Sequence, residues 1–197
     1  AAEDTRKSRI LLSHYNIKTR TISYFEHNKF QKIDKIKQVL KKGDSVALIT
    51  DAGTPGISDP AYKLIRKAIE IGCNVESIPG PSAVIASLVS SGLPTDRFIF
   101  EGFLPPKKGR KRRIENLKEE TATIVLYESN RRLQRTIKQL LDIMGDRPAV
   151  ICRELTKVHE ETIRGTLSSL LNLLNERKLK GECVLLIGKD DKNVYFE

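Results

Sequence analysis

Residues 45–71 place an apolar run, a Gly/Pro-rich segment and a helical pattern in direct succession. The run is 45–50, the helix 60–71, and the segment between them reads Asp51-Ala52-Gly53-Thr54-Pro55-Gly56-Ile57-Ser58-Asp59-Pro60. Strand, loop and helix in that order restrict the chain to folds in which helices cover a sheet. In open α/β sheets, ligands sit at the carboxyl ends of the strands. Gly53 and Gly56 let the backbone approach a ligand, Pro55 and Pro60 stiffen the turn, and Ser58 or Asp59 is placed to cap the helix. The segment is neither G-x-G-x-x-G nor the phosphate loop G-x-x-x-x-G-K-[ST]. Taken alone, a purely structural strand-to-helix connection accounts for it equally well.

The same alternation runs through the rest of the chain. The first half predicts helices at 6–15, 31–41, 60–71 and 81–91, with strands at 21–25, 45–50 and 74–78. Gly92-Leu93-Pro94-Thr95 breaks the pattern and marks a boundary between an N-terminal domain, 1–93, and a C-terminal domain, 97–189. The second half predicts strands at 97–103, 123–127, 149–154, 161–165 and 183–188, and helices at 109–119, 131–144 and 167–178. Residues 190–197 are polar and are set aside as a tail. The fold class is therefore α/β, in two domains.

Composition narrows the partners. No apolar run approaches the roughly 18 residues of a membrane span, and no signal peptide opens the sequence, so a cytoplasmic protein without a membrane partner is expected. Cys73, Cys152 and Cys183 lack C-x-x-C spacing, which predicts reduced thiols and no metal site. Lys and Arg number 35 against 25 acids, a formal charge of +10, and that surplus favours a polyanion. A generally basic surface is the plainer reading.

A second loop, Pro79-Gly80-Pro81-Ser82-Ala83, opens another apolar helix. Together with 52–61, Phe100-Glu101-Gly102-Phe103-Leu104-Pro105, Tyr127-Glu128-Ser129 and Arg153-Glu154-Leu155-Thr156-Lys157, it closely resembles the tetrapyrrole-methylase-like methyltransferases. Within them the match is to the branch that 2′-O-methylates a cytidine of 16S ribosomal RNA in the decoding centre. The resemblance implies two α/β domains with the methyl donor, S-adenosylmethionine, folded in a cleft between them. It implies cofactor contacts from Asp51, Ala52, Gly53, Thr54, Ile57, Ser58, Ser82, Ala83, Tyr127 and Glu128, with Arg153 and Glu182 as weaker assignments. It also implies a homodimer acting on 16S rRNA or the 30S subunit. Members begin with a strand and a Pro/Gly-rich loop ahead of an Ala-Glu-Asp-Thr-Arg run. This sequence opens directly on that run at 2–6, so the first strand is expected to be missing.

Methyl transfer to a ribose hydroxyl needs an in-line approach and benefits from a base. Asp4 is a candidate base, with Arg6 or Lys7 on the phosphate; His27 is a second candidate. Asp4 as a helix cap and His27 as a surface residue are the plainer readings. Lys107, Lys108, Arg110, Lys111, Arg112 and Arg113 fall within seven residues and would track a phosphate backbone, extended by Arg131. A solvated helix face is the alternative. Methylation of a tetrapyrrole and non-catalytic RNA binding remain as competing functions, whereas a hydrolase is disfavoured: the second loop lacks the G-x-S-x-G elbow and no histidine has an evident partner.

Overall fold

The computed structural model describes residues 1–196. Its contacts divide the chain into two units, 1–82 and 83 to the C-terminus.

The first unit holds α1 (Thr5–His14), α2 (Lys29–Lys41) and α3 (Ala61–Glu70). Asp4 accepts the Arg6 backbone N–H at 2.8 Å and so caps α1. Asp59 does similar work before α3: its two carboxylate oxygens accept from Gly56 N and Ala61 N at 2.7 and 2.8 Å. The core is Tyr24, Ile33, Ile36 and Leu64, with Leu40, Val46 and Leu48 packed around it.

The strands predicted at 21–25, 45–50 and 74–78 do not form ladders. Ala2 makes single parallel bridges to Ser23 and Ile49, and among the described residues that is all the pairing this unit has. Residues 1–3 run between the two extended segments, with Ala2 N donating to Ile22 O, Tyr24 N to Ala2 O and Ile49 N to Ala1 O. Residues 74–78 pair with no strand among the described residues, and Val75 and Ile78 are exposed.

In the second unit the chain follows α4 (Ala83–Ser91), β1 (Phe98–Phe103), α5 (Arg110–Leu117), β2 (Thr123–Ser129), α6 (Asn130–Met144), β3 (Pro148–Arg153), β4 (Glu161–Thr166), α7 (Leu167–Glu176) and β5 (Glu182–Ile187). The sheet order is β1-β2-β5-β3-β4, parallel between β1 and β2 and antiparallel elsewhere. Both faces of its central strands are covered, which is why β2, β3 and β5 read as continuous apolar runs. Leu126, Ile151 and Leu185 face α5, α6 and α7, while Val125, Val150 and Leu186 face α4. Because α4 packs on β3, β4 and β5, the division between units falls ahead of it rather than at Gly92. Residues 190–196, set aside above as a polar tail, dock on the α4 side: Val194 and Phe196 join that cluster and the Tyr195 hydroxyl donates to Asp146 O at 2.6 Å. Cys152 and Cys183 are buried free thiols, and burial pushes Cys183 up to about 11.

Two local features shape the carboxyl edge of this sheet. The register of β1 on β2 slips between Phe100 and Gly102, so Glu101 is an extra residue in a β-bulge and Gly102 takes φ +69. Phe100 and Phe103, three residues apart, would otherwise face opposite sides. The bulge puts both rings against Tyr127, at centroid distances of 4.9 and 5.6 Å.

The second feature is a buried ionic network at the end of β2. Glu128, 2% exposed, accepts from Arg132 Nε and Thr136 Oγ1, each at 2.7 Å. Arg110, 3% exposed, donates to Thr136 Oγ1 at 2.5 Å, Gln139 Oε1 at 2.7 Å and Pro105 O at 3.2 Å, with Glu128 3.7 Å away. One carboxylate thus ties α5 and α6 to the sheet. Removing it leaves a buried guanidinium uncompensated, so Glu128→Ala is expected to cost about 3–5 kcal/mol in urea unfolding, and Glu128→Gln clearly less.

Candidate functional site

In the first unit, the loop 51–59 and the loop 79–82 lie side by side. Thr54 Oγ1 donates to Pro81 O at 2.7 Å, and a Cβ on Gly53 would sit 3.9 Å from that same carbonyl. Gly53 itself has φ +69, a backbone conformation that side chains other than glycine's adopt only under strain. Asp51, Ala52, Gly53, Ile57 and Ser58 are exposed, and Thr54 and Ser82 half-exposed, so loop backbone and small side chains are presented together. That donor set suits a methyl donor whose adenosine and amino-acid ends take hydrogen bonds and whose ribose tolerates close backbone approach.

The run 2–7 is stitched to the start of this loop. Glu3 accepts from Thr50 Oγ1 at 2.8 Å and from Asp51 N at 3.3 Å. Asp51 in turn accepts from Asp4 N at 3.3 Å and pairs with Lys7 at 2.9 Å. Glu3 belongs to the run 2–6 and Thr50 ends the apolar run before the loop; their approach in space shows that they organise it. A small cavity of about 10 Å³ beside them is lined by Glu3, Tyr24, Thr50, Pro55 and Asp59.

The candidate bases fare differently from one another. Asp4 is fully engaged by Arg6, whose Nε and Nη2 donate to it at 3.1 and 2.8 Å. The guanidinium hydrogen bonds hold this carboxyl well below the usual carboxylate range, which makes it a weak proton acceptor at neutral pH. His27 is exposed in a turn, with its ring edge toward Phe25.

In the second unit, strand register gathers the remaining candidates at one end of the sheet. Tyr127, Glu128 and Ser129 stand opposite Val184, Cys183 and Glu182, and Arg153 stands opposite Cys183. Their side chains have local partners. Glu128 is committed to the buried network, Arg153 pairs with Glu161 at 3.2 Å, and Glu182 with Lys157 at 3.0 Å. Tyr127 packs against Phe100 and Phe103. Ala83 is the first residue of α4.

The basic run is not one surface. Lys107, Lys108, Lys111 and Arg112 are exposed, as is Arg131 at the start of α6. Arg113 is half-exposed and held bidentately by Glu101, with Nη2 at 2.8 Å. Arg110, expected among the phosphate-facing cations, is instead buried in the Glu128 network, which takes it out of any RNA-facing group. No helix among the described residues is long and apolar enough to cross a membrane.

Comparison with known proteins places the whole chain. A family model, Tetrapyrrole (Corrin/Porphyrin) Methylases, matches residues 1–171. A protein of Halalkalibacterium halodurans named ribosomal RNA small subunit methyltransferase I is 45% identical over 98% of this chain and 67% of its own length. Its namesake in Thermotoga maritima is 44% identical over 96% of this chain and 86% of its own. Among solved structures, the methyltransferase CobJ aligns with a TM-score of 0.62 at 17% identity, covering 81% of this chain and 71% of that one. Uroporphyrin-III C-methyl transferase from Thermus thermophilus, complexed with S-adenyl homocysteine, gives 0.59 at 16% identity over 84% and 75%.

The Asp4–Arg6 pair sets a pH expectation. A carboxyl whose folded pKa is depressed contributes stability above its unfolded pKa and loses it only as pH falls through the lower folded value. NMR titration is expected to show Asp4 still ionised where free aspartate has protonated. In Arg6→Ala its midpoint should return toward about 3.9.

Proposed function

The chain belongs to the tetrapyrrole methylase family, and on that premise we propose that it methylates small-subunit ribosomal RNA with S-adenosylmethionine as donor. The proposed acceptor is the ribose 2′-hydroxyl of a cytidine in the decoding region, cytidine 1402 of 16S rRNA. One contrast carries the reading. Identity is 44–45% to proteins named for the ribosomal RNA reaction, against 16–17% to the CobJ and uroporphyrin enzymes of the same fold. The net charge of +10 and the exposed group Lys107, Lys108, Lys111, Arg112 and Arg131 suit a polyanion in the same way. A cytoplasmic homodimer acting on the 30S subunit completes the reading.

The donor supplies a methyl group on a positively charged sulfur. In this assignment, Ala52, Gly53, Thr54, Ile57 and Ser58 hold the cofactor from one loop and Ser82 and Ala83 from the other, with Tyr127 as an apolar contact. Arg6 and Lys7 take the phosphate beside the target. Asp4 orients Arg6, in-line positioning of the 2′-oxygen supplies much of the acceleration, and the hydroxyl proton would leave to His27 or to solvent.

Methyl transfer from labelled S-adenosylmethionine, assayed in parallel on 30S subunits and on uroporphyrinogen, tests the substrate. Label is expected in the RNA; label in the tetrapyrrole alone would reject the RNA reading. Calorimetry tests the cofactor loops: Gly53→Val and Ser82→Trp should each abolish donor binding with helix content unchanged. Replacing Lys107, Lys108, Lys111 and Arg112 by Ala should lower the salt slope of RNA binding by about 1 for each phosphate no longer neutralised. Donor affinity should stay constant in that variant.

A further inference from the structure

We propose that Phe103 is a stacking platform for an unpaired nucleobase of the RNA, an inference that rests on the RNA reading above. Single exposed apolar residues are common on any protein and by themselves mean little. Four observations set this one apart.

Phe103 ends β1 with 56% of its surface open. Its ring is backed by Tyr127 at 5.6 Å and an interplanar angle of 61°, and Tyr127 is itself braced by Phe100 at 4.9 Å. The side chain is therefore propped from one side while the rest of the ring faces solvent. Its aim is also built in, since the bulge at Glu101 turns it onto the Tyr127 face. Arg113 grips Glu101 at that extra residue and fixes the bulge from outside.

The backbone that follows is pinned as well. Leu104 is 2% exposed, its carbonyl accepts from Arg132 Nη1 at 3.4 Å, and the Pro105 carbonyl accepts from Arg110 Nη1 at 3.2 Å. Both guanidiniums belong to the Glu128 network. A ring on a fixed pedestal loses little conformational freedom when a base stacks on it.

Finally, the exposed cations Lys107 and Lys108 begin four residues on. Aromatic faces beside phosphate-tracking cations are how proteins hold single-stranded RNA, whose splayed bases stack on the rings. Tyr15, also exposed, packs edge-on with the neighbouring His14 ring at 4.9 Å. Phe30 and Tyr62 already carry Lys63 and Arg66 over their rings, at 4.4 and 6.0 Å.

The chain contains no tryptophan, so Phe103→Trp creates a single indole reporter at the proposed contact. Oligocytidylate RNA is expected to quench its emission, with the same midpoint as binding of labelled RNA by the unaltered protein. An abasic ribose-phosphate oligomer of equal length should leave the emission unchanged. Phe103→Ala should weaken oligocytidylate binding by about 5- to 100-fold at fixed salt, keeping both the salt slope and the affinity for S-adenosylmethionine. Equal RNA affinity in Phe103→Ala, or quenching by the abasic oligomer, would overturn the stacking role. So would reduced donor affinity, which would place the ring against the cofactor. Salt-dependent RNA binding that ignores Phe103 rejects stacking alone; absence of such binding in the unaltered protein rejects the RNA reading with it.

Discussion

The second unit turns on one buried carboxylate. Glu128 lies at the end of β2, where the strand leaves the sheet and α6 begins one residue later, and it is closed off from solvent. Such a group persists only with cationic and hydrogen-bonding partners around it. Arg132 comes from the next turn of α6 and Arg110 from α5, with Thr136 and Gln139 filling the remaining valences. Because the same two guanidiniums also hold the carbonyls of Leu104 and Pro105, the charge balance inside the unit dictates where the chain after β1 runs. The exposed cations of α5 inherit their placement from that route.

This arrangement explains which parts of the fold the sequence discloses. The five strands of the second unit lie within two residues of the predicted spans; β2, β3 and β5 are buried on both faces, and double burial writes itself as a run of Val, Ile and Leu. Helices α3, α6 and α7 are equally plain, each having one apolar stripe to bury. The strands expected in the first unit fail for a different reason: Val46 and Leu48 do enter a core, but a strand is defined by its neighbour, and an apolar pattern does not disclose whether one pairs with it.

The candidate site divides in the same way. Glycine and proline announce the loop 51–59 from composition alone, since their backbone geometry is intrinsic. Charged residues announce nothing about their partners. Six cations in seven residues look interchangeable, yet Arg110 is buried, Arg113 is held by Glu101, and the rest face solvent. The Glu3–Thr50 and Lys7–Asp51 contacts join residues more than forty positions apart. Asp4 illustrates the hazard of reading chemistry from residue type: the neighbour that makes it a good cap makes it a poor base.

The bulge at Glu101 bears on how this segment tolerates change in length. Strand ends are ordinarily where a chain absorbs an inserted or deleted residue without harm. Here the side chains on either side are set in two frames, Phe98 to Phe100 in one and Gly102 onward in the other. Deleting one residue at 101 would merge the frames, sending Phe103 to the face packed by α5, α6 and α7 and Leu104 away from it. The segment is thus more permissive to substitution than to a shift in count.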